Sequence, residues 1–561
     1  MRDFFESRSA IQRLDFILAG LLVLLVLVVG HVYIVPAAAG AYHDDGIYLA
    51  TAKALAEGQG YRLINLPGMP PQTKYPVLYP AILAAAWHFL PSFPDNLVAL
   101  KAISLACCAL AVGLTYLFTV RFGYAARISA VCGCLLAATS APFLYFGGLT
   151  MSEPAFAVLV VVYLWILESA LRPDAAARPL HLFLLGLAAG LPFLCRTNGL
   201  TLAAAGAVLV WQRGRSLVSY GLGAAVVVLG WAAWVLVAKS SQADAAGLAY
   251  YTDYVGWWAD FGPGVLGRIT SINMLSLFQL SAILPLFGLK QFLDAHVPAL
   301  VSSIAAFLAG ITVFFHLLRQ ACRWRILPVA LVAYCSLLIV WPWPIARFLI
   351  PVLPFLAILL MQAMGRIPWG RAGQTAGRLV GAGVVVVLLG LNLHSVWRSG
   401  SLTQERMYPL FKVDNDVPPW ARYQELFTWV KDHSAASDIL ATGLDTMAYL
   451  YTGRQAYRPF VSNPLPLYYD APGLSLGGED AFLSHLQAMK PRYVLRLPMV
   501  SFGEEKPFDA LLNTVASAPN PVLRQVFVGR DPRFAVYEPD YAALENELAR
   551  NREMAGVSAT P

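Results

Sequence analysis

Residues 16–45 read FILAGLLVLLVLVVGHVYIVPAAAGAYHDD. Residues 16–36 hold no Asp, Glu, Lys or Arg, and about 20 apolar residues suffice to carry a helix across a bilayer. The run breaks at Pro36 and a string of small residues. Two adjacent carboxylates, Asp44 and Asp45, then stand where the chain has just left the apolar phase.

The same alternation of apolar run and short polar turn repeats along the chain. Further spans are expected near 97–120, 127–143, 152–171, 181–195, 199–212, 216–238, 297–318, 326–341, 347–364 and 378–396, about eleven crossings with the first. Composition agrees: 58% of the residues are hydrophobic and 13% charged, against about 25% charged in ordinary soluble proteins. The net charge of +7 is spread out, with no basic block interleaved with aromatics, which argues against a nucleic-acid partner. All seven cysteines lie in or beside apolar runs. They imply no disulfide framework, and Cys132-x-Cys134, without nearby His or acidic partners, reads as packing.

Segment 76–91, PVLYPAILAAAWHFLP, is apolar but short and proline-bounded. Short cytoplasmic turns collect Lys and Arg. If this segment does not cross, the arginines near 121–127, 172–178, 213–215, 319–325 and 366–378 share the cytoplasmic side. Arg196 and Arg347 are then almost alone in the short outer turns. The segment is therefore expected as an interfacial or re-entrant helix on the outer side. Loop 37–96, loop 239–296 and the tail from about 397 fall outside the cytoplasm. The first span is read as retained rather than as a cleaved signal, because the run and its preceding region are long.

The tail is of different material. WARYQELFTWVKDHSAASDIL (420–440) reads as a helix leading into a strand. QVFVGRDPRFAVYEP (525–539) reads as a hairpin about a Gly-Arg-Asp-Pro turn. The expected organisation is a membrane domain over 1–396, an extracytoplasmic α/β domain over 397–540, and a polar tail over 541–561. No internal repeat or low-complexity block is present.

An aspartate is a good N-cap, and GIYLATAKALAEG after the pair looks helical, amphipathic and able to lie at the interface. Two adjacent acids with His43 beside them exceed what a cap needs. In GMPPQTKYPVLYP (68–80), Lys74 stands before a proline-rich turn; its side chain could snorkel to lipid headgroups or bind a phosphate. GGLTMSEPAF (147–156) places Glu153 at the start of a span, where a carboxylate suits the helix dipole. WPWPIARFLIPVLPFL (341–356) places Arg347 in an outer turn, and the planar fork of arginine suits phosphate oxygens. Arg196-Thr-Asn198 either satisfies helix ends or joins the same pocket. Tyr251, Tyr254, Trp257 and Trp258 read as an interfacial aromatic belt or a sugar-contacting loop.

In this order and on this side, the Asp44-Asp45 pair with Tyr48 just after it, KYPVLYP, SEP and RFLIPVLPFL resemble the motifs of GT-C membrane glycosyltransferases. The nearest groups are the protein-O-mannosyltransferases and the aminoarabinose transferases, and the resemblance covers roughly 10–400. It implies a polytopic α-helical membrane protein that takes a sugar from a polyprenyl-phosphate carrier and passes it to an extracytoplasmic acceptor at a bacterial inner membrane. The implied base is Asp44 or Asp45. Lys74 and Arg347 are the implied ligands of the donor phosphate, Glu153 a second acidic position, and His43, Tyr48 and Arg196 accessory positions. No cofactor is assigned beyond the donor; a divalent metal held by Asp44 with Asp253 and Asp260 is left open. Membrane lipids and an acceptor that is glycan, lipid or protein are the expected partners.

The competing class is a transporter or flippase of lipid-linked sugars. It calls for ionisable residues within the spans and broken helices in paired halves, and neither is apparent in the sequence. A scaffold would need no convergence of acid, lysine and arginine on one face. A ligase or polymerase moving whole glycans stays open within the enzyme class.

Overall fold

The computed structural model describes residues 12–173, 178–240, 262–365, 374–405, 417–499, 503–518 and 520–554. The aromatic stretch 251–258, Asp253 and Asp260 lie outside them.

Among the described residues, helices α1 (Arg13–Gly30), α2 (Asp44–Ala56), α3 (Leu78–Phe89), α4 (Leu97–Arg121), α5 (Arg127–Ala138), α6 (Ala141–Gly147), α7 (Ser152–Ala170), α8 (Pro179–Cys195), α9 (Leu200–Gln212) and α10 (Leu217–Ser240) build the first part of a helical bundle. Helices α11 (Pro263–Ile283), α12 (Phe287–His296), α13 (Ala299–Ala321), α14 (Ile326–Ile339), α15 (Leu353–Met364) and α16 (Gln374–Glu405) complete it. Among the described residues seven helical stretches are long and apolar enough to cross a membrane, or nine if each of two bent pairs counts as one. The expectation of about eleven included α8, α9 and α14, which are shorter than a full crossing. Segment 76–91 holds only the twelve-residue α3, packed against α2, α4 and α8.

The two ends of the bundle differ as the arginine distribution requires. At one end Asp15 of α1 accepts two hydrogen bonds from Arg127 (2.8 and 3.0 Å). There too Arg325 reaches the Gly123 carbonyl, Arg213 that of Leu171 and Arg215 that of Arg172. Asp44, Glu153, Arg196 and Arg347 all gather at the other end.

Loop 239–296 is not only a surface loop. Its second half forms α11, a 21-residue apolar helix packed on α13, and α12, bent from it by 101°. A second pair, α5 and α6, bends by 61°. The two breaks meet. Ser140 donates to the Leu284 carbonyl (2.8 Å). Asn392 of α16, 1% exposed, accepts from the Gly288 N–H (3.0 Å) and donates to the Pro285 carbonyl (2.9 Å). A helix break surrounded by hydrocarbon must have its freed backbone groups satisfied from within the protein, and Asn392 and Ser140 do so here. The sequence concealed these breaks because one falls at Thr139-Ser140, without a proline between the helices, and the other lies in a segment of mixed polarity.

The tail folds into a five-stranded mixed sheet of order β2-β1-β3-β5-β4. Its strands are β1 (Leu440–Thr442), β2 (Ala456–Tyr457), β3 (Tyr493–Arg496), β4 (Leu523–Val528) and β5 (Ala535–Pro539). β1 pairs in parallel with β2 and β3; β5 runs antiparallel to β3 and β4. The hairpin read at 525–539 is β4–β5, and the helix before β1 is α17 (Trp420–His433). Helix α18 (Asp445–Thr452) follows β1, α19 (Pro464–Tyr468) and α20 (Gly478–Met489) precede β3, and α21 (Glu505–Ala516) precedes β4. Residues 541–554 form α22 (Tyr541–Met554), which buries Leu544 and packs on α20.

Candidate active site

Helix α2 begins at Asp44. Its apolar face does not rest on a lipid surface, as its amphipathic pattern had suggested. Ala50 and Ala54 are fully buried with Ile64 and pack against Tyr449 of the tail; Lys53 and Glu57 pair with each other on the outside (2.6 Å).

The two aspartates face different ways, as neighbours on a helix must. Asp44 is 5% exposed. One of its oxygens accepts from the Tyr75 hydroxyl (2.6 Å) and the other from Arg347 (2.7 Å). Burial opposes its ionisation, but the charge of Arg347 and the Tyr75 hydrogen bond prevail and hold its carboxyl down at about 2. Asp45 is fully buried and turned back into the chain. Its oxygens accept the backbone N–H groups of Gly40 (2.8 Å) and Tyr42 (3.0 Å). Lys101 of α4, also buried, donates to the carbonyls of Val35 and Ala38 (2.8 and 2.5 Å). Asp45 and Lys101 thus fold the 35–42 segment into one shape, and only Asp44 is turned towards the arginine.

Arg347 is the first member of an alternating chain of charges. Its Nε lies 4.0 Å from Glu153, and Glu153, with no exposure, lies 2.8 Å from Arg196. Arg196 also donates to Ser152 (2.7 Å), whose hydroxyl meets that of Tyr48 (2.8 Å). The Phe348 ring lies near both guanidinium groups, 4.9 Å from that of Arg347 and 5.2 Å from that of Arg196. A cation over an aromatic face is attracted by the ring quadrupole, so the ring adds to the hold on each arginine. The local fold supplies this: the 3₁₀ turn Ala346–Val352 follows the WPWP turn, so Arg347 emerges just before α15.

Lys74 reaches the same region. It is 5% exposed, its ammonium 5.6 Å from the centre of the Tyr75 ring. Gln72 holds its loop by accepting the N–H of Lys74 (2.8 Å), and Trp234 of α10 donates to the Gln72 carbonyl (2.9 Å). Tyr48 and Tyr75 meet edge to face at 5.4 Å, joining α2 to the Lys74 loop.

No family model matches the chain, and no curated protein matches it. Solved structures do. The crystal structure of ArnT from Cupriavidus metallidurans bound to undecaprenyl phosphate aligns at TM-score 0.54 and 15% identity, over 93% of this chain and 98% of that one. The apo form of the same protein aligns at 0.51 and 13%, with the same coverage. The archaeal oligosaccharyltransferase AglB from Archaeoglobus fulgidus, in complex with an inhibitory peptide and a dolichol-phosphate, aligns at 0.47 and 13%, over 85% of this chain and 69% of that one. The chain has the GT-C fold.

Within this GT-C fold, Asp44, Arg347, Glu153, Arg196 and Tyr48 form one connected cluster, with Lys74 at its edge. Asp45 and His43 lie outside it, Asp45 turned to the backbone of Gly40 and Tyr42 and His43 to the tail. His43 is fully buried and its Nε2 lies 2.8 Å from Asp445 of the tail. Tyr75, Ser152, Phe348 and Lys101 were not singled out from the sequence, although Tyr75, Ser152 and Phe348 are each adjacent to a residue that was. Among the described residues no group of three or more His, Cys, Asp and Glu side chains could hold a metal ion. The metal left open for Asp44 with Asp253 and Asp260 falls on two positions outside the described residues, and the chemistry below is routed through none.

Proposed function

We propose that the chain is an integral membrane glycosyltransferase. It moves a sugar from a polyprenyl-phosphate carrier to an extracytoplasmic acceptor, with Asp44 as base and Arg347 and Lys74 as ligands of the donor phosphate. The observation that carries this reading is the Asp44–Arg347 contact, set beside buried Lys74 at the arginine-poor end of a GT-C bundle. An ionised carboxylate and a guanidinium held together in a shielded place suit a reaction that removes a proton and releases an anion.

The acceptor hydroxyl attacks the anomeric carbon, the bond from that carbon to the phosphate oxygen breaks, and the bonding pair leaves on the phosphate. The hydroxyl proton passes to Asp44. Arg347 and Lys74 stabilise the charge that grows on the departing phosphate, where fixed cations in a water-poor site are most effective. Glu153 and Arg196 hold Arg347 in position from behind. One base opposite one leaving group gives a single displacement with inversion. The setting we infer is a bacterial inner membrane, from the resemblance, with the site on its periplasmic face, from the arginine-rich turns at the opposite end.

The flippase reading gains one point: the bundle does contain two broken helices. Their freed groups are closed by Asn392 and Ser140, neither of them ionisable, so the closing contacts do not make a proton or ion path.

The deciding experiment is sugar release from a radiolabelled polyprenyl-phosphate-hexose mix by purified protein in lipid. Wild type is compared with Asp44→Asn, Asp45→Asn and Lys74→Ala. Loss of turnover in Asp44→Asn with carrier binding kept supports the assignment; unchanged turnover in Asp44→Asn and Lys74→Ala overturns it.

A further inference from the structure

We infer that the tail domain holds the base in place: Asp445 is a positioning residue that acts on Asp44 through His43. This rests on the glycosyltransfer reading above, and it gives the tail a part in that reaction.

Helix α18 sits with its first turn directly on the loop that carries the acidic pair. His43 immediately precedes Asp44, and its Nε2 pairs with one oxygen of Asp445 at 2.8 Å, both side chains with no exposure. The other oxygen of Asp445 accepts from Asn65 of the first loop (2.8 Å). The hydroxyl of Thr446 faces the His43 carbonyl at 3.5 Å. One short helix of the tail therefore grips the loop at its backbone, at the side chain before Asp44, and at a second point twenty residues on.

The closeness of the packing shows in two glycines. A Cβ on Gly46 would stand 2.1 Å from the Thr446 Oγ1 and 2.7 Å from its Cβ; one on Gly40 would stand 2.9 Å from the Met447 Cβ. Gly40 also has a φ of +88°, which side chains rarely adopt. His43 itself has a φ of +58°, an uncommon conformation for a residue with a Cβ. Such a conformation persists where the surroundings over-determine it, and here the surroundings are Asp445 and Thr446. An Asp orienting a His is also the arrangement that tunes a catalytic imidazole. Full burial keeps His43 from any substrate, so its role is to fix the chain that presents Asp44.

The clamp from the tail is independent of the one from the membrane side. Lys101 and Asp45 fix the 35–42 segment from below; Asp445 and Thr446 fix 40–46 from above. Asp44 stands between the two, and its distance from Arg347 depends on both.

The test uses the full chain in lipid, with Asp445→Ala and Asp445→Asn. Turnover, carrier-phosphate affinity and hydrogen exchange of peptides covering 38–50 are measured together. For Asp445→Ala we expect kcat to fall about 10- to 100-fold, the scale on which small misplacements of catalytic groups act. Affinity for undecaprenyl phosphate should hold or rise, since Lys74 and Arg347 are untouched and a loosened Asp44 competes less for Arg347. Exchange should rise in 38–50 but not in the strands of the tail, and the Asn variant should fall between. As a second route, Gly46→Ala should reproduce the loss chiefly through the clash with Thr446, and Gly46→Ala with Thr446→Gly should recover most of it. The inference is overturned if exchange in 38–50 is unchanged in Asp445→Ala, or if carrier affinity falls as far as kcat does. If wild type transfers no sugar from any donor, the reading of the reaction fails, while the exchange measurement still decides the clamp.

Discussion

Replacing Asp44 by Asn should separate binding from chemistry in opposite directions. In the resting structure Arg347 is engaged by the Asp44 carboxylate at 2.7 Å, so a donor phosphate must compete with that carboxylate for the same guanidinium. A hydrogen bond between two charged groups of this kind is worth about 1.5–3 kcal/mol. Asn removes the charge and keeps the shape, so it frees Arg347 and also removes repulsion between carboxylate and phosphate. Affinity for undecaprenyl phosphate should therefore rise, by up to roughly 10- to 100-fold if the whole of that energy is released. Turnover should fall by about 10²- to 10⁴-fold, the usual contribution of a positioned base. Equilibrium binding in nanodiscs by calorimetry, beside single-turnover sugar release, measures both. A clear loss of carrier affinity in Asp44→Asn would refute the reasoning, because it would mean that Asp44 helps to bind the phosphate rather than competing with it.

The acid limb of kcat/KM offers a second check. A depressed carboxyl is ionised, with its stabilising pair intact, above its unfolded value near 3.8 and loses both only as pH falls through about 2. Between pH 5 and 8 Asp44 should thus cause no change in rate, and a limb in this window that disappears in Asp44→Asn would contradict the assignment. Asp45→Asn should act on the fold: it loses charged acceptance of two backbone N–H groups, each worth about 1.5–3 kcal/mol, which should lower the thermal midpoint at neutral pH. An Asp45→Asn midpoint equal to wild type would remove its supporting role. Asn392→Leu leaves the Gly288 N–H and the Pro285 carbonyl open at the helix breaks. At about 0.6–1.7 kcal/mol for interhelical bonds within a membrane, a loss of roughly 1–3 kcal/mol is expected in reversible unfolding from bicelles, without change in kcat.

The membrane domain was legible because the bilayer imposes one loud signal. Long runs without charge are helices, and arginines sort the turns. The reading weakened where that signal is mixed. Segment 263–296 carries Arg268, Lys290 and Asp294 among its apolar residues, so it resembled an outer loop, although α11 packs into the bundle. Around the site, motif and chemistry together singled out Asp44, Lys74, Glu153, Arg196 and Arg347 before their distances were visible. They could not separate Asp44 from Asp45, since both are acids on one first turn. What separates them is the direction of each side chain and the backbone donors that Gly40 and Tyr42 aim at Asp45. Asp445 could not be found at all. It lies 402 residues from His43 in a stretch without a recognisable motif, and only the docking of the tail on the loop gives it a role.

The cluster has a further logic in its charge count. Lys74, Arg196 and Arg347 are opposed by Asp44 and Glu153, three cations to two carboxylates, all buried except Arg347, which is 26% exposed. Buried charges are tolerable only when paired, and Glu153 serves this need for both arginines at once. It draws on Arg196 at 2.8 Å and on Arg347 at 4.0 Å, so Arg347 is not stranded when it turns from Asp44 towards an incoming phosphate. The excess positive charge then meets an anion rather than water. On this account Glu153 is needed for an orderly exchange of partners at Arg347. Glu153→Gln should weaken carrier binding and turnover together, in contrast to the opposite movements expected of Asp44→Asn. Tighter carrier binding in Glu153→Gln, measured in the same nanodisc titration, would show that Glu153 competes with the phosphate as Asp44 does, and that the two acids are not divided in role.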